Sequence, residues 1–165
     1  MNKKNIIRIV LCALFIALTI IFTALIYFPI GTQGGYINIG DSIIIVSSYM
    51  LGPLYGAFVG AFGSMIADLI VAPQYALFTF IIKGVEGFII GFLIKKNYKK
   101  TNVLLASFLG LLIMVIGYYF VGVFMYESFI APITDTLFNL IQMIVCLILS
   151  QAIIRTISIY KIKRN

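Results

Sequence analysis

Almost all cations of this 165-residue chain fall into three short clusters, and each cluster lies at the end of a long apolar run. All but one of the twelve Lys and Arg residues belong to them: Lys3, Lys4 and Arg8; Lys95, Lys96, Lys99 and Lys100; Arg155, Lys161, Lys163 and Arg164. Hydrophobic residues make up 62% of the chain, whereas soluble domains are roughly 45–50% apolar. The pattern predicts an integral membrane protein whose cations obey the positive-inside rule, rather than a protein that binds nucleic acid.

The clusters also set the number of membrane crossings. If the N-terminus and the loop 95–100 are both cytoplasmic, an even number of crossings separates them. The first apolar run supplies one, so residues 37–94 must supply an odd number, and three fits their length. We therefore predict an all-α integral membrane protein, a compact bundle of six transmembrane helices with both termini in the cytoplasm. Its single domain, 1–165, has helices at 6–28, 41–51, 54–71, 76–94, 103–125 and 133–154.

Local signals mark the helix ends. Pro stops or kinks a helix, so breaks are expected at Gly52-Pro53 and at residues 72–74. Asp41 is interpreted as the N-cap of the second helix, which is short for a full crossing. The run 6–28 follows a basic cluster but is too long for a cleaved signal peptide, so it is interpreted as a retained first helix.

Several kinds of chemistry are excluded or disfavoured. The chain has no histidine, which removes His-based acid–base chemistry and most transition-metal sites, and no metal or cofactor is predicted. Cys12 and Cys146 each lie inside an apolar run, so a disulfide is not indicated. The sequence has no Gly-x-x-x-x-Gly-Lys-Ser/Thr phosphate loop, so the chain is not expected to hydrolyse ATP itself.

Polar residues inside the apolar runs are predicted to meet in one layer. Lys83 and Glu86 lie two to three turns from the outer end of the fourth helix, and Asn139 and Gln142 lie at a similar depth in the sixth. At ~1.5 Å per residue this depth is on the order of 10–16 Å below the outer surface. The other members of the layer are Tyr118, Tyr119 and Asp68. An ammonium, carboxylates, amides and aromatic rings suit a small, planar, polar ligand.

Alternative interpretations of these residues stay open at this point. Lys83 could pair with Asp68 or Glu86 only to neutralise a buried charge, and Asn139 and Gln142 could serve interhelical hydrogen bonds. The alternatives to a binding protein are an intramembrane enzyme with Glu86, Asp68 or Lys83 as acid–base groups, and a structural membrane protein whose charges only pair.

The first outer loop, Pro29–Gly40, reads PIGTQGGYINIG and carries no charge. Its glycines make it mobile, and we interpret it as a lid that brings Tyr36 and Asn38 over the ligand. A loop that is flexible without such a role is the alternative. Gln74 and Tyr75, in the short connection after the third helix, are expected to form part of the remaining rim.

Three stretches resemble the substrate-binding S components of energy-coupling factor (ECF) vitamin transporters. They are Gly35–Gly63, GYINIGDSIIIVSSYMLGPLYGAFVGAFG; Ser64–Leu69, SMIADL; and Phe80–Gly87, FIIKGVEG. The likeness is strongest to the group for hydroxymethylpyrimidine, pyridoxine or riboflavin uptake, and the GD…LGPL.GA…G…AD pattern is fairly specific to that group. The chain length, the six predicted helices and the cytoplasmic termini agree with that group as well.

The resemblance implies a function and partners. S components of prokaryotic cytoplasmic membranes bind a vitamin near the outer face, dock in the lipid bilayer on a transmembrane T component coupled to two ATPases, and are not enzymes. Ala13 and Ala17 match the family's docking motif, Ala-x-x-x-Ala in the first helix. Glu86 occupies the region where a glutamate of thiamine-binding relatives meets the ligand. The chain has no tryptophan, unlike those relatives, so thiamine is less favoured. Within the group that it resembles, pyridoxine or hydroxymethylpyrimidine is favoured, then riboflavin.

Overall fold

The computed structural model describes residues 2–30, 34–96 and 100–163, which form a helical bundle with one small hairpin. In chain order the elements are α1 (Lys3–Ala24), β1 (Tyr27–Ile30), β2 (Gly35–Asn38), α2 (Asp41–Leu51), α3 (Pro53–Val71), α4 (Ala76–Lys96), α5 (Lys100–Tyr126) and α6 (Ile133–Lys163). A π-helical turn at Val59–Gly63 interrupts α3, and a 3₁₀ turn at Pro73–Tyr75 leads into α4. Lys99 and Arg164 of the basic clusters and Gly31 of the predicted lid lie outside the described residues.

Five of the six helices in the described ranges are long and apolar enough to cross a membrane, namely α1, α3, α4, α5 and α6. The remaining helix, α2, has 11 residues and is buried along most of its length. At ~1.5 Å per residue it spans about 16 Å, roughly half the thickness of the hydrocarbon layer. The architecture is that of an all-α membrane protein with one short helix inside the bundle.

The first helix ends earlier than the sequence predicts, because the residues after it form a hairpin. Tyr27–Ile30 pairs antiparallel with Gly35–Asn38, and Tyr27 lies opposite Asn38. The prediction that the helix continues to residue 28 is therefore wrong. Pro29 cannot sit in a helix interior, and the aromatic pair before it favours an extended chain. The predicted lid is thus a two-stranded hairpin with defined pairing.

Glycines bring the backbones of α3 and α4 into direct contact. A Cβ atom added at Gly60 would lie 2.2 Å from the carbonyl oxygen of Lys83, and one added at Gly87 would lie 2.2 Å from that of Gly56. Gly91 packs in the same way on Pro53. Small residues in membrane helices allow this close approach, which increases van der Waals contact. The packing holds Lys83, on α4, at a fixed distance from α2 and α3.

Candidate ligand-binding site

A cavity of about 600 Å³, its open mouth included, lies between the hairpin and the helices α3, α4, α5 and α6. Eight of the eleven residues predicted to bind a ligand line it: Tyr36, Asn38, Asp68, Tyr75, Lys83, Tyr118, Asn139 and Gln142. The sequence analysis missed four further polar lining residues: Thr23, Ser64, Thr79 and Asp135. The mixture of polar and aromatic walls is typical of small-molecule sites.

Lys83 belongs to a buried cluster of three charged side chains. Its ammonium donates a short hydrogen bond to Asp41 Oδ1 and lies 3.2 Å from Glu86 Oε2. The exposed fractions are 2% for Lys83, 1% for Asp41 and 0% for Glu86. The ring of Tyr118, whose centroid is 5.5 Å from the ammonium, adds a cation–π contact. One cation therefore serves two buried carboxyl groups.

Of the two partners that the sequence suggests for Lys83, Glu86 contacts it and Asp68 does not. Asp41, interpreted above as an N-cap, is the second partner. Asp41 is the first residue of α2, follows Gly40, and makes no side-chain capping bond. Its carboxylate points into the bundle, where Lys83 and Gln142 donate to it. A charge buried in a membrane helix requires such partners.

A chain of hydrogen bonds connects this cluster to the hairpin. Gln142 donates from Nε2 to Asp41 Oδ2 at 2.6 Å, and its Oε1 accepts the backbone N–H of Asn38 at 2.8 Å. A carboxylate can only accept and a backbone N–H can only donate, so the orientation of the Gln142 amide is fixed from both sides. The contact couples α2 and α6 to β2.

The hairpin makes a second polar contact through Tyr36. Its hydroxyl donates a short hydrogen bond to Asp68 Oδ1 on α3. Burial, followed by the nearby Asp68 carboxylate, raises the pKa of the Tyr36 phenol above its usual range, so the hydroxyl keeps its proton and remains the donor. Asp68 is only 3% exposed. No Lys or Arg side chain that the structure describes lies within ion-pair distance of it.

The remaining cavity walls supply hydroxyl groups and an amide. Thr79 and Tyr118 share a hydrogen bond of 2.8 Å, and Tyr126 donates to Asp135 at 2.6 Å. Asn139 is 8% exposed and finds no hydrogen-bond partner among the described residues. Because buried polar groups are nearly always satisfied, this amide is available to a molecule inside the cavity.

Three predicted binding residues do not line the cavity. Glu86 follows Lys83 on the same side of α4 but lies one turn further along the helix, behind the ammonium. Tyr119 donates to the carbonyl oxygen of Phe129 at 3.1 Å instead, because consecutive helical residues point about 100° apart and Tyr118 takes the inward direction. Gln74 packs against Gly34 of the hairpin turn.

Two of the missed residues had a sequence signal. Thr79 precedes Lys83 by four positions, and Asp135 precedes Asn139 by four, so each shares a helix face with a residue that was chosen. Asp41 carried the opposite signal, since an aspartate at the start of a helix is usually a cap. Its role depends on the depth at which α2 begins, which no local pattern encodes.

A membrane-spanning bundle that encloses a polar cavity beneath a hairpin defines a subunit that binds a small solute within the bilayer. The chain matches the family model described as the S component of ECF-type riboflavin transporters over residues 3–159. It therefore belongs to this family of vitamin-transport subunits, which is not an enzyme family. The protein is a multi-pass cell-membrane protein and a vitamin-binding S component.

Two relatives extend the comparison. The chain is 33% identical over 155 residues to the thiamine precursor transporter HmpT of Lactococcus lactis, an alignment that covers 93% of this chain and 89% of the relative. It is 42% identical over 104 residues to a Pyrococcus woesei protein described as an uncharacterised protein in the gap 3′ region, with coverage of 63% and 70%.

Proposed function

We propose that this S component captures a single-ring vitamin or vitamin precursor of the pyridoxine or hydroxymethylpyrimidine type, in preference to riboflavin. The observation that carries the proposal is the lining of the cavity. It combines the free amide of Asn139, the hydroxyls of Thr79 and Tyr36 and the ring of Tyr118 around one cavity. Similarity to a named thiamine precursor transporter over most of both chains supports the same ligand class.

Each wall of the cavity offers a different contact to such a ligand. The Tyr118 ring offers a face for an aromatic heterocycle, and Asn139 and Thr79 offer donors and acceptors to its substituents. The hairpin, held by Tyr36 and Asn38, closes the remaining side. Because the hairpin is already hydrogen-bonded to α3 and α6, a compact ring fits under it more readily than a three-ring flavin.

The test is a ligand panel on the purified full chain. Isothermal titration with hydroxymethylpyrimidine, pyridoxine, riboflavin and thiamine is expected to give a single-ring compound at least tenfold tighter than riboflavin. Asn139→Leu is expected to weaken that ligand about tenfold, since a buried hydrogen bond is worth ~1 kcal/mol or more. Gln151→Leu, an amide on the same helix outside the cavity, is the matched control. Tightest binding of riboflavin would refute the ligand assignment.

We also propose that α1 docks on a T component that is coupled to two ATPases, with both termini of the chain in the cytoplasm. Ala13 and Ala17 are exposed on α1, which leaves their small side chains accessible to another membrane helix. Ala13→Leu or Ala17→Leu should abolish vitamin uptake by cells and leave ligand affinity unchanged. Ala152→Leu, an exposed alanine on α6, should transport normally. Normal uptake by both α1 variants would remove the basis for this docking face.

A further inference from the structure

The acidic residues of this chain are concentrated around the cavity. The chain has five Asp and Glu residues, and four of them line the cavity or pair with a residue that lines it: Asp41, Asp68, Glu86 and Asp135. Within the described residues, Lys83 is the one cation among them. The cavity is therefore acidic, although the whole chain has a formal net charge of +7.

The one ammonium is already engaged by two of these carboxyl groups. Lys83 contacts Asp41 and Glu86. The donors to the other two carboxyl groups are hydroxyls: those of Tyr36 and Thr79 face Asp68, and that of Tyr126 donates to Asp135. A hydroxyl donor stabilises a carboxylate but does not neutralise it. Asp68, at 3% exposure, is thus a buried carboxyl group without a cation, an arrangement that is costly in a membrane unless something supplies the charge.

A second feature, independent of Asp68, points to a molecule in the cavity as the missing partner. Asn139 lines the same cavity, is more than nine-tenths buried, and leaves its amide without a partner among the described side chains. The Asp68 carboxylate, which has no cationic partner, and the free amide of Asn139 therefore face the same cavity. A protonated heterocycle supplies both complements: a charged N–H for the carboxylate and a polar substituent for the amide.

We propose that the cavity binds its ligand as a cation, a protonated nitrogen heterocycle, with Asp68 as the counter-ion. This inference rests on the proposed function and narrows it, because riboflavin is neutral whereas an aminopyrimidine has a basic ring nitrogen. A protonated aminopyrimidine presents a charged ring N–H and an amino group, and a carboxylate accepts a charge-assisted hydrogen bond from such a donor. Glu86, behind Lys83, is then not the carboxylate that meets the ligand.

Other charged and titratable groups around Asp68 define what binding can depend on. Those that line the cavity are Tyr36 on β2, Tyr75 just before α4, Lys83 on α4, Tyr118 on α5 and Asp135 on α6, and Asp41 on α2 pairs with Lys83. Lys83 is held by Asp41 and Glu86, so it is not free to neutralise Asp68 when the cavity is empty. The bound complex consequently contains one proton more than a neutral ligand and an ionised Asp68 contain separately.

The experiment compares two ligands of equal shape on the purified full chain. One is hydroxymethylpyrimidine with its amino group; the other is its oxo analogue, in which a carbonyl oxygen replaces the amino group and the ring is not basic. The amino compound is expected to bind at least tenfold more tightly. Its affinity should fall at alkaline pH, by up to tenfold per pH unit for one linked proton, while the affinity of the oxo compound stays nearly flat.

Asp68→Asn supplies the residue assignment, because asparagine keeps the shape and can still accept from Tyr36. The variant should lose the preference for the amino compound and its pH dependence, whereas Glu127→Gln, at an exposed carboxylate away from the cavity, should keep both. Should Asp68→Asn fail to fold, the pH dependence of the unmodified chain decides. Equal, pH-independent binding of both compounds overturns the cationic site and leaves the proposed function intact. Binding of neither, or tighter binding of riboflavin, overturns both.

Discussion

Asp41 and Asp68 are the same side chain at almost the same exposure, 1% and 3%, yet their surroundings differ. Asp41 has a complete set of protein partners, Lys83 and Gln142. Asp68 has a tyrosine hydroxyl from the hairpin. Asp41 is therefore fully paired within the protein and belongs to the scaffold. Asp68, in the proposed site, obtains a cationic partner only when a ligand is bound. Burial alone therefore does not distinguish a structural carboxylate from a binding one, and the number of cations around it does.

The contrast between Asp41 and Asp68 depends most strongly on the Lys83 ammonium. Lys83→Met leaves Asp41 and Glu86 buried without a cation, and loss of one partner from a buried ion pair costs about 3–5 kcal/mol. We expect a large drop in the thermal unfolding midpoint of the protein in detergent. The double variant Lys83→Met/Asp41→Asn should recover part of it, because one stranded charge is gone. A single variant as stable as the parent would contradict the cluster's structural role.

Asp41→Asn tests whether the cluster around Asp41 supports the proposed ligand site around Asp68. Lys83 keeps Glu86, so the bundle should fold, but Gln142 loses the carboxylate that orients it toward Asn38. Hydrogen bonds to charged groups are worth about 1.5–3 kcal/mol, so ligand dissociation measured by stopped flow should accelerate at least tenfold. Ser47→Ala, whose hydroxyl bonds within its own helix, is the control on α2. An unchanged dissociation rate would show that the hairpin does not depend on this chain of hydrogen bonds.

Two glycines on α4 measure how rigid the scaffold is. Gly87→Ala places a methyl group 2.2 Å from a backbone oxygen of α3, whereas Gly84→Ala meets only a side-chain methyl at 3.3 Å. Overpacking costs typically about 1–3 kcal/mol. The first variant should therefore unfold at a clearly lower temperature than the second. Similar midpoints for the two variants would mean that α3 and α4 can move apart without loss.

The smallest effect is expected at the hairpin contact. Tyr36→Phe removes the hydroxyl that donates to Asp68 and keeps the ring, so a hydrogen bond to a carboxylate, worth about 1.5 kcal/mol at the low end of its range, is lost from closure. Ligand dissociation should become about tenfold faster, with little change in the unfolding midpoint. Tyr27→Phe, on the partner strand, tests whether a hydroxyl elsewhere on the hairpin matters equally. A large change in stability for Tyr36→Phe would mean that Tyr36 contributes to the stability of the fold rather than to ligand binding.

The sequence predicts most of the bundle because helix boundaries in membranes depend on strong local signals. Pro53, Pro73 and Pro132 lie where helices begin or break, and the long apolar runs between them leave few alternatives. The end of α1 was predicted too late because hydropathy does not distinguish a membrane helix from an apolar strand at Tyr27 and Phe28. Pairing of that strand with residues five to eleven positions away is not a local property.

Most residues that line the cavity were predictable from the sequence, but their pairings were not. Depth along each helix identified Lys83, Asn139 and Gln142 as residues of one layer, since depth follows from position in the chain. Which carboxylate meets the ammonium depends on how α2 is inserted between its neighbours and on backbone contacts between α3 and α4. These are tertiary distances, and Asp41 could not be separated from an ordinary helix cap without them.

α1 has a mechanical consequence. It is one uninterrupted helix of 22 residues, about 33 Å long at ~1.5 Å per residue. Thr23 near its end lies 3.4 Å from Asn38 Oδ1 and fills the space beside Gly40, while Ala13 is about 15 Å away along the same axis. A helix this continuous acts as a lever arm. A tilt of roughly 10° about Ala13 would displace Thr23 by about 2.6 Å, enough to loosen the hairpin from below without touching the ligand.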